Sequence, residues 1–169
     1  VNIGVSRLFL NDGLGNFSSI STNLPSAQSL HGEPGDWDQD GDVDLFVSNR
    51  NNQISWILYN DGSGGFTRVD SPAEAVSSNY SSAIDWDLDG DLDVIMSQVN
   101  AAPILLRNEN MLDHQWVRLR LMGKSSNRSA IGAWVHARVS GQQIWRQVMP
   151  TRSYLSQSEL TVTLGLGQA

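Results

Sequence analysis

Two stretches of the sequence hold carboxylates at a spacing that suits metal chemistry. Residues 36–44 read DWDQDGDVD and residues 85–93 read DWDLDGDLD. Taking the first aspartate as position 1, side-chain oxygens fall at positions 1, 3, 5 and 9, namely Asp36, Asp38, Asp40 and Asp44 in one copy and Asp85, Asp87, Asp89 and Asp93 in the other. A glycine, Gly41 or Gly90, stands at position 6, and Asp42 or Asp91 at position 7 can add a backbone carbonyl. Oxygen-only donors folded back by a glycine turn suit a hard cation that takes six to eight oxygens. Calcium at two sites is the expected ion, and all ten aspartates are assigned to those sites. Magnesium fits less well because it keeps several waters and rarely uses an all-protein cage. The plainer reading, two solvated Asp-Gly turns, leaves five like charges crowded together in each copy, and two unit charges 4 Å apart repel by about 1 kcal/mol even in water. An EF-hand is excluded because its position-12 glutamate is replaced by Val47 and Met96, both in strand-like runs. The glycine-rich nonapeptides of calcium β-helices are absent.

The elements that must position these loops recur with them. LFLNDGLGNF at 8–17 returns as ILYNDGSGGF at 57–66, and Asp36 returns as Asp85, both after 49 residues. A degraded third start is visible in ILLRNEN at 104–110. Within a unit the apolar pattern is that of short strands: DLFVSN, ISWILYN and GFTRVD, then SSAIDW, DVIMSQV and PILLRN. NDGLGN and NDGSGG between them read as tight hairpin turns, since Asn, Asp and Gly tolerate positive φ. Four short strands per unit of about 45 residues describe a β-propeller blade. The fold class is therefore all-β.

Charge divides the chain in two. Residues 1–110 carry 4 basic and 16 acidic side chains, and residues 111–169 carry 7 basic and 2 acidic. Ten of the negative charges lie in the two loops, so the acidity is local. Nucleic acid is disfavoured by the overall charge of -7 and by the lack of a binding module. No apolar run approaches the roughly 20 residues of a membrane span, and the start VNIGVSRLFL lacks the marks of a signal peptide. There is no cysteine, hence no disulfide framework or thiolate chemistry. In WVRLRLM, Val117, Leu119 and Leu121 alternate with Trp116, Arg118, Arg120 and Met122. One face of that strand is apolar and the other cationic, either an ordinary solvated face or a docking surface for an anionic glycan, an acidic protein or the acidic repeats themselves. Trp37 and Trp86 share position 2 of the loops and read as packing elements. His31, His114 and His136 form no spaced ligand pair and read as structural.

On these residues the units resemble FG-GAP/VCBS repeats, the blades of integrin-α-like propellers. The resemblance implies that the D-x-D-x-D-G-x-x-D loop between the first two strands of a blade binds calcium. Residues 116–167, with SNRSAIGA, YLSQS and the closing LGLG, resemble the ASPIC/UnbV domain that follows such repeats in proteins similar to cartilage acidic protein. Residues 1–111 are then FG-GAP/VCBS repeats (the end of one blade, one full blade and most of another), forming a partial propeller. Residues 112–169 are a small antiparallel β domain that stops short of the family's usual end, as in a fragment of a longer protein.

The expected function is that of a calcium-binding extracellular module, secreted or at the cell surface, for adhesion or for binding a protein or glycan, with calcium in a structural role. The alternative is a structural subunit that forms a homo-oligomer or filament through open strand edges. Weak sites of roughly 10⁻⁴ to 10⁻³ M, usual for extracellular calcium modules, suit that setting. Sequons at Asn16, Asn79 and Asn127 could carry N-glycans. No Ser/His or Cys/His arrangement and no nucleotide loop is visible in the sequence, so an enzyme is not expected.

Overall fold

The 49-residue unit folds as a four-stranded antiparallel sheet in the computed structural model, which describes residues 7–20, 27–110, 112–152 and 157–168. Its strands are β3 (Ser29–Gly35), β4 (Asp44–Asn49), β5 (Trp56–Asn60) and β6 (Phe66–Asp70), paired in that order. The next unit supplies β7 (Ser78–Ile84), β8 (Asp93–Gln98) and β9 (Ile104–Leu106) in the same arrangement but without a described fourth strand. Ahead of both, β1 (Leu8–Asn11) and β2 (Phe17–Ile20) form a hairpin equivalent to β5 and β6. The expected blades are thus present, and no helix occurs among the described residues.

Strand β3 is the element that local propensity hides. SLHGEPG contains two glycines and a proline, yet it pairs with β4 from Ser29 opposite Asn49 to Gly35 opposite Asp44. Proline lacks an N–H and is confined to strands that need no donor on one side; β3 is an edge, hydrogen-bonded to β4 alone. The hairpins differ in detail from the tight turns expected of NDG. Five residues join Asn11 to Phe17 and Asn60 to Phe66, and the aspartate in each loop accepts backbone N–H bonds. Positive φ is taken by Gly13 and Gly15 in one loop and by Gly62 and Gly64 in the other.

Alternation along the strands sets the packing. Phe46 of β4 is fully buried and meets Trp37, Ala83, Leu92, Val94 and Met96 in the core between the two blades. Leu45 and Val47, pointing to the other face, pack with Trp56 and Leu58. Polar seams accompany the core: Ser48 bonds Ser81 across the blades at 3.0 Å, and Ser78 donates to the Asn49 carbonyl at 2.9 Å. Val47 and Met96 lie within strands β4 and β8, in keeping with the exclusion of an EF-hand.

The chain continues as two antiparallel pairs. β10 (Gln115–Leu119) pairs with β13 (Val162–Gly167), and β11 (Trp134–Val139) with β12 (Gln142–Gln147). Ile144, Val148, Val162 and Leu164 fill the space between them, joined by Val117, Leu119 and Leu121. The apolar face expected of WVRLRLM is therefore the core face. Because Phe46 joins both blades, Phe46→Ala should cost about 3–5 kcal/mol, the usual range for a large-to-small change in a packed core. Denaturant unfolding should show a lowered midpoint with the slope unchanged.

Candidate metal centres

Each aspartate loop spans the gap between the first two strands of its blade, closed by the pairs Gly35–Asp44 and Ile84–Asp93. Two left-handed residues fold it. Position 4 is Gln39 (φ 61°) or Leu88 (φ 66°), and position 6 is Gly41 (φ 98°) or Gly90 (φ 100°). The turns gather the carboxylates of positions 1, 3 and 5: one ligand oxygen each from Asp36, Asp38 and Asp40 lies within 4.8 Å of the others, and the same holds for Asp85, Asp87 and Asp89.

The remaining aspartates are engaged in other ways. Asp44 accepts the Trp37 N–H at 2.8 Å with Oδ2 and the Asn60 N–H at 2.8 Å with Oδ1. Asp93 repeats this with Trp86 at 2.7 Å and Asn108 at 2.8 Å. Position 9 thus ties the loop to the strand end that carries the asparagine. Asp91 accepts from Gln39 Nε2 and from the Asn110 N–H, which links the second loop to the first.

Burial sets the proton affinities. Desolvation pushes Asp36 up to about 6, held back by the Arg146 guanidinium and the Gly165 N–H, and pushes Asp44 up to about 7 against its two backbone bonds. Asp38, Asp42, Asp91 and Asp93 are raised for the same leading reason. Buried carboxylates behave this way where nearby charges and hydrogen bonds do not fully offset the loss of water. In the second loop, Asp85 Oδ1 is buried with no hydrogen-bond partner, in a residue only 3% exposed. Six crowded carboxylates, an orphaned carboxylate oxygen and raised proton affinities all fit an oxygen-seeking divalent cation.

The C-terminal strands complete both loops, which sequence reasoning gave only as one option for the cationic face of β10. Arg118 on β10 reaches Asp85 Oδ2 at 2.7 Å and Glu159 at 2.5 Å. Arg146 on β12 reaches Asp36 Oδ2 at 3.2 Å. The solvated-face reading holds for Arg120, which is exposed, and fails for Arg118, whose side chain is 16% exposed. The LGLG ending also gains a reason. Gly165 donates to Asp36 Oδ2 at 3.0 Å, Gly167 donates to the Gln39 carbonyl at 2.9 Å, and a Cβ at Gly165 would strike the Gln39 backbone. Trp116 lies against Gly90 and Ile144 against Gly41, so neither position has room for a side chain.

Trp37 is in the inter-blade core as expected, whereas Trp86 is 58% exposed, with no described sheet over it. His114 bonds the Asp38 carbonyl at 2.7 Å, which requires its Nδ1 to carry the proton; His31 lies 3.4 Å from Glu33, and His136 stacks on Trp145.

Two family models match the chain. Residues 36–96 match the family model described as FG-GAP-like repeat, and residues 123–169 match the one described as ASPIC and UnbV. The chain therefore carries an FG-GAP-like repeat segment, which includes both aspartate loops, followed by an ASPIC/UnbV domain. No curated protein matches the chain.

The raised carboxylates fix a pH dependence. Asp36 and Asp44 hold protons more tightly folded, at about 6 and about 7, than at their ordinary 3.8. Their contribution to stability is complete below about pH 4 and is lost as pH rises through 6 to 7. With a chelator present, the melting temperature should be lower at pH 7.5 than at pH 5, and saturating calcium should flatten that slope.

Proposed function

We propose that this FG-GAP-repeat and ASPIC/UnbV chain is a calcium-binding, non-enzymatic module of the extracellular space, in which calcium is structural and the surrounding surface binds a protein or glycan. FG-GAP-like repeats are β-repeat modules for ligand or protein binding. The observation that carries the calcium reading is the duplicated cluster, Asp36, Asp38 and Asp40 in one blade and Asp85, Asp87 and Asp89 in the next, folded by the same turn and placed between the same two strands.

Those six carboxylates would hold the ions, with the Asp42 and Asp91 carbonyls and the position-9 aspartates behind them. A bound cation supplies positive charge that removes the repulsion within each loop. Because it binds only the folded loop, it stabilises by RT ln(1 + [L]/Kd), about 2.7 kcal/mol per site at 100 times Kd. The protein's own part is to fix the turn, through Gly41 and Gly90, and to anchor its ends, through Asp44 and Asp93.

A binding role is favoured over catalysis by how the polar groups are spent. The buried Ser158 donates to Glu33 Oε1 at 2.8 Å, with His31 beyond the glutamate, and all three side chains are buried, so that array is spent inside the fold rather than presented at the surface. An extracellular setting is supported by the site type, since loops of this composition in extracellular modules bind at roughly 10⁻⁴ to 10⁻³ M. Among the described residues no helix is long and apolar enough to cross a membrane. Glycans at the sequons are compatible with that setting, and Asn16 and Asn127 are exposed.

Calorimetric titration tests the calcium reading. The intact chain should bind two calcium ions, and Asp40→Asn and Asp89→Asn should each remove one while the chain stays folded by circular dichroism. Two ions retained in both variants would contradict it.

A further inference from the structure

The two loops share a sequence pattern, but the C-terminal domain treats them differently. Over the first loop, Arg146 Nη2 sits among three oxygens: Asp36 Oδ2 at 3.2 Å, the Gly41 carbonyl at 3.0 Å and the Asp42 carbonyl at 3.2 Å. Two of these belong to the donor set expected for the ion, the position-1 carboxylate and the position-7 carbonyl. Among the described residues, Asp36 is the one acid paired with Arg146. Both oxygens of Asp36 are occupied, Oδ2 by Arg146 and the Gly165 N–H, and Oδ1 by the Gly41 N–H at 3.3 Å.

Over the second loop, Arg118 takes one oxygen, Asp85 Oδ2, and turns its other terminal nitrogen to Glu159. Among the described residues no arginine reaches the Gly90 or Asp91 carbonyl; Gly90 accepts from Gln39 instead. Asp85 Oδ1 stays buried and unpartnered. A second arginine, Arg107, pairs with Asp87, but it is half exposed and also bonds Glu109 at 2.8 Å. Each arginine at the second loop is thus balanced by a glutamate from outside the loop, whereas Arg146 puts an unbalanced positive charge on the first.

Affinity of such loops follows the charge count of the ligand set and the oxygens left free. We propose that the two loops are unequal cation sites: Arg146 competes with the ion for the Asp36–Asp44 loop, which fills last, while the Asp85–Asp93 loop fills first. This rests on the calcium reading above. Linkage is reciprocal, so an ion entering the first loop loosens the hold of Arg146 and makes the β11–β12 hairpin the calcium-responsive part of the chain.

The test isolates each loop in the full chain, following calcium by calorimetry. Asp89→Asn leaves the first loop and Asp40→Asn leaves the second. The first loop should bind at least about tenfold more weakly, within the range usual for coupling between two ligands on one protein. Adding Arg146→Gln to the Asp89→Asn chain should tighten the first loop by about the same factor. Equal affinities, or a tighter first loop, would overturn the proposal with Arg146 intact, so the comparison stands even if the Arg146 variant does not fold. A folded Arg146→Gln chain with unchanged or weaker binding would overturn it as well. Calcium binding by neither loop would overturn it together with the calcium reading.

Discussion

Everything in this chain is arranged around the cost of placing five carboxylates within nine residues, twice. Like charges at that density repel, and burial removes the water that would otherwise screen them. The fold answers with oriented donors at positions 1 and 9. Asp44 and Asp93 are each held by two backbone N–H groups, and Asp36 and Asp85 by a guanidinium and by the glycine of their own loop. What remains, the carboxylates of positions 3 and 5 together with the unpartnered Oδ1 of Asp85, is the share that a divalent ion is suited to neutralise.

The same constraint explains the joint between the two parts of the chain. The second part is basic where the first is acidic, and its arginines meet the first aspartate of each loop. Losing one partner of such a buried pair ordinarily costs 3–5 kcal/mol, because the other charge is left stranded. Close packing adds to the charge pairing: Gly41 and Gly90 let Ile144 and Trp116 come against the loops, and Gly165 brings β13 onto Gln39. The two loops are also tied to each other, through Gln39 to Gly90 and Asp91, and through Asn108 and Asn110 to the carbonyls of Trp37 and Asp38. Blade, blade and C-terminal domain therefore meet at the loops, and a change in loop charge reaches all three.

Much of this was legible in the sequence because it repeats. The 49-residue period located the blades, the loops and the hairpins, and Asn108 following Asn60 after 48 residues marked a position that proves to donate to the position-9 aspartate in both copies. Strand β3 was not singled out, since Gly32, Pro34 and Gly35 give it no local strand signal and its place is set by pairing with β4. The contacts of Arg118 with Asp85 and of Arg146 with Asp36 join residues 33 and 110 positions apart, which no local pattern encodes. Alternation in WVRLRLM found the core face of β10 correctly but left open what its other face meets. Trp37 and Trp86 show the limit of period alone: equal positions in two blades differ in burial when only one has a sheet packed over it.

The most direct test of the central claim, that a divalent ion completes the charge balance of the loops, is thermal unfolding of the purified chain at neutral pH in millimolar calcium and in excess chelator, with magnesium as control. A large, calcium-specific rise in melting temperature is expected. An unchanged melting temperature, or an equal rise with magnesium, would contradict it.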